Sequence, residues 1–235
     1  MNGTQLSLRL KKVAEYLPQA AYFADIGSDH AYLPCYVCLH DRHARAVAGE
    51  VNNGPYQSAL KEVDTHQLND QIDVRLGDGL DVLINNEVEQ VVIAGMGGPL
   101  IRDILESGKD KLSSVSKIIV QPNIDARSIR RWFYDNQYQL VHEAILEENG
   151  HIYEVLAAEK GDPEHIYQQE SFEKQLWLGP WLMKERSPVF RKKWKEEKSK
   201  KERIVHQIRC SKQPDEKKIQ LFQKELVWLK EVLEQ

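Results

Sequence analysis

The stretch Ala24-Asp25-Ile26-Gly27-Ser28-Asp29-His30-Ala31-Tyr32-Leu33-Pro34 joins an apolar run to a small, polar turn and then to a helix-like segment with an early proline. Residues 22–26 read as a strand, the turn at Gly27 as a tight loop, and residues 31–40 as a helix. A strand, a tight loop and a helix N-terminus form the geometry of a nucleotide-type ligand site. Glu50 follows the next apolar run, 44–48, and stands 23 residues after Gly27. An acidic residue at that distance is placed to bind the two ribose hydroxyls of a nucleoside.

Working outward, apolar runs at 22–26, 44–48, 72–76, 91–94 and 117–120 alternate with helical patterns at 31–40, 54–66, 79–86, 98–107 and 125–136. Leu6, Leu10, Val13 and Leu17 fall at helical spacing, so 4–17 reads as a leading amphipathic helix. Asn53 is expected to cap the helix that carries Pro55 in its first turn. The alternation predicts an α/β fold, a parallel sheet with helices on both faces. Residues 138–147 and 152–158 flank Asn149-Gly150, a pair that favours a type I′ turn. The sheet is therefore expected to end in a hairpin, with one antiparallel strand at its edge.

Gly161-Asp162-Pro163 reads as a boundary between a first domain, 1–160, and a second, 161–235. Beyond it, 188–209 is rich in Lys and Glu and reads as a long helix, 211–214 as a turn, and Ile219, Phe222, Leu226, Leu229 and Leu233 as a heptad seam. A helical coiled-coil hairpin is the expected product. The net charge of −4 hides an asymmetry: 15 Lys/Arg against 23 Asp/Glu in 1–160, but 17 against 13 in 161–235. A basic tail either touches a polyanion or forms a solvated face, because the bases are interleaved with acids.

At 235 residues and 41% hydrophobic, the chain fits a globular protein with a good core and an accessory domain. No run approaches the roughly 20 apolar residues of a membrane span, and residues 1–13 lack the apolar core of a signal peptide. Three cysteines make no disulfide framework, and a reducing cytoplasm is expected. Cys35-Tyr-Val-Cys38 lies inside a predicted helix without a second pair, so buried thiols are expected and no metal.

The loops at the strand ends carry the chemistry. A dinucleotide site wants G-x-G-x-x-G, but the later glycine positions here hold Asp29 and Tyr32. Acids in this loop repel a pyrophosphate and favour a ligand with a cationic end, such as S-adenosylmethionine; Asp25 suits an amine or the loop's own amides. In Gly77-Asp78-Gly79-Leu80, Asp78 either accepts from an adenine amine or caps a helix. Gly95-Met96-Gly97-Gly98 lets the backbone pass close beneath a flat ligand, with Met96 as a flexible apolar wall. Gln121-Pro122-Asn123 sets two amides at the sheet's C-terminal edge.

Together, D-I-G-S-D-H-A-Y-L-P, V-A-G-E, G-D-G-L, I-A-G-M-G-G and Q-P-N resemble the bacterial tRNA (adenine-22-N(1))-methyltransferase family. The resemblance spans essentially the whole chain. It implies a class I Rossmann-like methyltransferase domain followed by a helical coiled-coil domain. It also implies methylation of adenine N(1) in the D-arm region of tRNA, with S-adenosyl-L-methionine as cofactor. Carried over by motif, Asp25, Gly27, Ser28, Asp29 and His30 form the cofactor loop, Glu50 holds the ribose, and Val51, Asp78 and Gly79 line the adenine. Gly95, Met96, Gly97 and Gly98 border the cofactor and, with Gln121, Pro122 and Asn123, frame the target base.

The Asp/Asn-Pro-Pro-aromatic motif usual after strand four in amino methyltransferases is absent, which leaves the catalytic role open; Asp29 and His30 are the candidates. Adenine N(1) carries an in-plane lone pair and attacks the methyl carbon directly, and because N(1) is paired in a duplex the base must be flipped or looped out. The basic helix region 184–209, with Arg191, Lys192 and Lys193, and the leading helix, with Arg9, Lys11 and Lys12, are expected to hold the tRNA backbone. A monomer is expected, with a dimer left open. Two other readings compete: a small-molecule methyltransferase, and a non-catalytic cofactor-binding scaffold.

Overall fold

The structure is a computed structural model and describes residues 3–211 and 213–234. Inter-residue contacts divide the chain into two units, Met1–Ile166 and Tyr167–Gln235. The first unit holds seven strands: β1 Tyr22–Ile26, β2 Arg45–Glu50, β3 Ile72–Leu76, β4 Gln90–Gly97, β5 Lys117–Ile124, β6 Tyr138–Glu148 and β7 His151–Lys160. Its helices are α1 Leu8–Glu15, α2 Tyr32–His40, α3 Asn53–Thr65, α4 Gly98–Ser107 and α5 Ala126–Asp135. The sheet order is β3-β2-β1-β4-β5-β7-β6.

The first five strands are parallel. They read as apolar runs because both faces are covered. One core joins Val13 of α1, Leu33 and Cys35 of α2 and Ala59 and Val63 of α3 to Phe23, Ala46, Val92 and Ile119 of the sheet. Helices α4 and α5 pack on each other, and α4 packs on β4 and β5. Winding runs outward from β1 to β3, then returns past β1 to β4 and on to β5. The adjacent strands β1 and β4 therefore flank the switch point, where ligands bind in such sheets.

The hairpin forms around Asn149 and Gly150, both with positive φ (51° and 79°) as a type I′ turn requires. The antiparallel strand is not at the edge. β7 inserts between β5 and β6, antiparallel to both, so β6 is the edge strand. The chain passes through α5 to the far side before the hairpin brings it back. Behind the hairpin, Arg130 of α5 is fully buried and pairs with Glu143 of β6, at 2.6 Å, and with Glu154 of β7.

Three local expectations are corrected. Residues 79–86 form only a single 3-10 turn, Gly79–Val82, because Leu80, Val82 and Leu83 all turn inward within one turn. Helix α3 starts one residue earlier than read, and the cap position is Asn52. Helix α1 is confined to Leu8–Glu15, with the Ser7 hydroxyl accepting from the Leu10 amide.

The second unit holds α6 Phe172–Leu178, α7 Pro180–Glu185, α8 Pro188–Arg209 and α9 Glu216–Glu234. Helices α8 and α9 are antiparallel, since Arg191 near the start of α8 donates to the Leu233 carbonyl at the end of α9. The expected turn at 211–214 includes Lys212, which lies outside the described residues. The buried stripe of α9 is Ile219, Glu225, Leu229 and Val232, whereas Phe222, Leu226 and Leu233 of the expected seam are half-buried. The face is rotated because Lys201, buried on α8, takes Glu225 as its ion-pair partner at 2.8 Å and lies over the rings of Trp177 and Phe222.

Candidate functional site

The loop after β1 is wound unusually. Gly27 has φ +69°, and Asp29, His30 and Ala31 then follow in the left-handed region at 47°, 78° and 57°. Non-glycine residues enter that region at a cost, and a run of three is held only by its surroundings. The Gly27 and Ser28 amides both donate to the Gly49 carbonyl, at 2.9 and 3.2 Å, tying the loop to the end of β2. The run delays helix α2 until Tyr32.

Two buried carboxylates lie beneath this loop. Asp25 accepts from the Ser28 hydroxyl at 2.6 Å and is buried. Burial pushes its carboxyl up to about 7; the Ser28 hydrogen bond opposes this, while Glu50 and Asp29 add to it. Glu50 is likewise raised, mainly by burial, against the stabilising amides of Asp29 and His30. One Glu50 carboxylate oxygen is buried without a hydrogen-bond partner. Such an oxygen is costly unless a donor arrives, and a ribose hydroxyl is a donor of the right kind.

Two cavities meet at the switch point. The first, about 260 Å³, is lined by Arg9, Leu10, Asp25, Gly27, Ser28, Asp29, Tyr32, Leu33, Ala94, Gly95 and Met96. The second, about 200 Å³, is more apolar and is bordered by Ile26, Gly27, Gly49, Val51, Gly77, Asp78, Gly79, Met96, Leu100 and Ile104. Gly27 and Met96 belong to both. The first cavity carries Asp25 and Asp29, the second is mostly apolar with Asp78 among its lining, and Glu50 lines neither, although its chain neighbours Gly49 and Val51 line the second. Asp78 makes no side-chain capping bond to the turn that follows it.

Most of the residues singled out in the sequence converge here, and some do not. Asp25, Gly27, Ser28, Asp29, Gly95 and Met96 line the first cavity, and Val51, Asp78 and Gly79 the second. The exposed His30 ring pairs with Asp29 through Nδ1 at 2.8 Å and stacks on Tyr32, with centroids 5.3 Å apart. Gly97 and Gly98 line neither cavity. Gly98 is buried, and a Cβ there would fall 2.1 Å from the Asp125 carbonyl oxygen, so this glycine serves the packing of α4 on the loop before α5.

Beside Gly95 lies a chain of side-chain hydrogen bonds. Arg9 Nη1 donates to Gln121 Oε1 at 2.6 Å, Gln121 Nε2 to Asn123 Oδ1 at 3.1 Å, and Asn123 Nδ2 to the Gly95 carbonyl at 2.7 Å. Gln121 is wholly buried, Pro122 is buried, and Asn123 is exposed. Arg9 thus turns into the site, apart from Lys11 and Lys12 with which the sequence groups it. Lys12 instead pairs with Glu15. In the second unit Arg191 is held by Leu233, Lys193 lies over the Trp194 ring, and Lys192 is exposed.

Sequence reasoning missed Tyr32, Leu100 and Ile104 as lining residues and missed the inward turn of Arg9. The signal for Tyr32 and Leu100 was present, as each lies within a turn of the loop or of a motif glycine. Nothing local to residues 8–15 points to Gln121. Among the described residues no group of three His, Cys, Asp or Glu side chains is placed to hold a metal ion. No described helix is long and apolar enough to cross a membrane.

Comparison with known proteins bears on this site. The profile of a family described as tRNA (adenine(22)-N(1))-methyltransferase matches residues 23–231. The tRNA (adenine(22)-N(1))-methyltransferase of Bacillus subtilis strain 168 is 50% identical over 208 residues, spanning 88% of this chain and 87% of that protein. The crystal structure of the B. subtilis m1A22 tRNA methyltransferase is similar with a TM-score of 0.94 and 46% identity, over 98% of this chain and 99% of that one. A Streptococcus pneumoniae structure in complex with S-adenosyl-L-methionine is similar with a TM-score of 0.86 and 40% identity, over 97% and 100% of the two chains.

Proposed function

The chain belongs to the tRNA (adenine(22)-N(1))-methyltransferase family, and on that premise we propose that it methylates N(1) of adenine 22 in tRNA with S-adenosyl-L-methionine as methyl donor. The observation that supports this site assignment is the pair of cavities meeting at Gly27 and Met96, with an unpartnered Glu50 oxygen buried beside them. When bound, S-adenosyl-L-methionine supplies a methyl carbon made electrophilic by its sulfonium. Glu50 holds the ribose, Val51, Asp78 and Gly79 the adenine end, and Asp25, with Gly27, Ser28 and Asp29 of the loop beside it, the charged methionine end. The donor set fits: the cavity that carries acids is the one that would face cationic groups.

The target base enters at the mouth of the first cavity, where Asp29, His30, Gly95 and Met96 lie and behind which Gln121 to Asn123 form a wall. Its N(1) lone pair lies in the ring plane and is nucleophilic without prior deprotonation. The protein's task is alignment and exclusion of water, which can supply most of the rate. Asp29 and His30 contact the edge of the base. Position N(1) is reached only once the base leaves its stack.

The first unit is the methyltransferase domain; Lys11 and Lys12 there, and Arg191, Lys192 and Lys193 in the helical unit, meet the tRNA backbone. Both cavities are lined by residues of the first unit alone, and a monomer is the reading kept. A tRNA substrate places the reaction in the cytoplasm. The test is transfer of labelled methyl from S-adenosyl-L-methionine to unmodified tRNA, followed by nucleoside digestion. Label in 1-methyladenosine supports the reading; cofactor binding with no label in RNA refutes it and favours the small-molecule or scaffold alternative.

A further inference from the structure

An arginine can donate hydrogen bonds but cannot accept one, and it does not lose its charge. Arg9 Nη1 therefore fixes the atom it meets, at 2.6 Å, as the carbonyl oxygen of Gln121. The Gln121 side chain is completely buried, so its amide has no water to turn toward. With Oε1 facing Arg9, Nε2 must face Asn123 and find an acceptor, Oδ1, at 3.1 Å. Asn123 is then obliged to offer Nδ2 to the Gly95 carbonyl, at 2.7 Å. The donor-only Arg9 at one end and the acceptor-only Gly95 carbonyl at the other thus agree on the direction of every bond in a relay that ends at the lining of the first cavity. Arg9 is itself held in place by the Tyr153 ring, 5.6 Å from its guanidinium carbon.

That direction decides what the mouth presents. Asn123 Oδ1 and the Gly95 carbonyl oxygen each accept one bond within the relay and keep a second lone pair. Gly95 lines the first cavity, and Asn123 is exposed beside it. With the amides flipped, Asn123 would present a donor instead. A pair of acceptors suits an exocyclic amino group and repels a keto oxygen. In adenine the amino group is the substituent next to N(1), and bonds from it to acceptors push electron density toward the ring nitrogen.

We propose that Arg9 is a positioning residue that sets the amide polarity of Gln121 and Asn123, so that Asn123 Oδ1 and the Gly95 carbonyl accept from the 6-amino group of the target base and select adenine. The proposal rests on the methyltransferase reading of this site.

The experiment compares kcat and KM for full tRNAs carrying at the target position either adenine or purine, which lacks the amino group but keeps the N(1) lone pair. Wild-type protein, Arg9→Met and Arg9→Lys are compared. Wild type is expected to favour adenine by about tenfold or more, the worth of one to two hydrogen bonds. Arg9→Met is expected to lose most of that preference, with kcat falling far more on adenine than on purine. Arg9→Lys, which keeps a donor for Gln121, is expected to keep part of the preference, and it remains a usable probe if Arg9→Met does not fold. Three results would overturn the proposal: wild type that treats the two bases alike, an equal fall on both bases in the variants, or a rise in KM on both with kcat unchanged, as for a phosphate contact. Wild type inactive on adenine-bearing tRNA would instead overturn the methyltransferase reading itself.

Discussion

The terminal methyl of Met96 lies so close to the backbone of Gly27 that a Cβ at position 27 would fall 2.2 Å from Met96 Cε. Gly27 also has φ +69°, which an L side chain adopts at a cost of roughly 1–2 kcal/mol. These two residues border both cavities, so their contact is where a ligand spanning the pair must pass. Gly27→Ala is expected to weaken S-adenosyl-L-methionine binding at least tenfold and to lower the unfolding temperature. Gly27→Ala with Met96→Ala removes the clash but not the dihedral strain, so it should recover only part of the loss. Titration and thermal unfolding of the two variants check this; wild-type affinity in Gly27→Ala would contradict it.

Asp25 is expected to make S-adenosyl-L-methionine affinity depend on pH. Its carboxyl is raised from an ordinary 3.8 to about 7, chiefly by burial. A cationic ligand binds the carboxylate, so affinity should rise with pH up to about 7 and level off above it, and Asp25→Asn should flatten the curve. The stability effect has the opposite sense. Because the folded value lies above the unfolded one, the carboxyl's contribution is full below 3.8 and is lost as pH rises through about 7. Asp25→Asn should therefore unfold at a higher temperature than wild type at pH 8, with little gain at pH 4. Parallel pH curves for the two proteins would refute the assignment.

Arg130 is an anchor of the hairpin, locked between two buried carboxylates. Arg130→Met removes the cation shared by these two buried carboxylates and is expected to cost about 3–5 kcal/mol. Replacing all three residues with apolar ones of similar volume should recover most of that. Urea titration followed by circular dichroism reads both, and a single variant as stable as wild type would show that the triad contributes nothing.

On α8, neighbouring bases are expected to differ. Lys192→Glu should weaken tRNA binding and reduce its salt dependence, as loss of a phosphate contact does. Arg191→Glu should in addition loosen the helical unit, because Arg191 is bonded to the Leu233 carbonyl at the end of α9. Binding measured across a salt series, together with thermal unfolding, separates the two. An unchanged salt slope in both variants would count against this face as an RNA contact.

Much of this molecule was legible because apolar periodicity is local. Residues 22–26 and 72–76 appear as strands within the bounds expected, and Asn149-Gly150 announces its turn by chemistry that only a few dipeptides share. The gathering of Asp25, Gly27 and Asp78 around the paired cavities was legible for the same reason, since all three lie at or just past strand ends. What escaped depends on partners far away in sequence. Arg9 acquires its role from Gln121, 112 residues on. The stripe of α9 is turned by Lys201, which demands Glu225 inside. The insertion of β7 between β5 and β6 is a property of sheet order, not of either strand. The left-handed run at Asp29, His30 and Ala31 left no trace, because none of the three is glycine.

The most direct test of the site is the dissociation constant for S-adenosyl-L-methionine in wild type, Asp25→Ala and Glu50→Ala, with folding checked by thermal unfolding. Affinity should fall at least tenfold in each variant while a cooperative unfolding transition persists. Wild-type affinity in both would show that the cofactor binds elsewhere and that the paired cavities at Gly27 and Met96 are not its site.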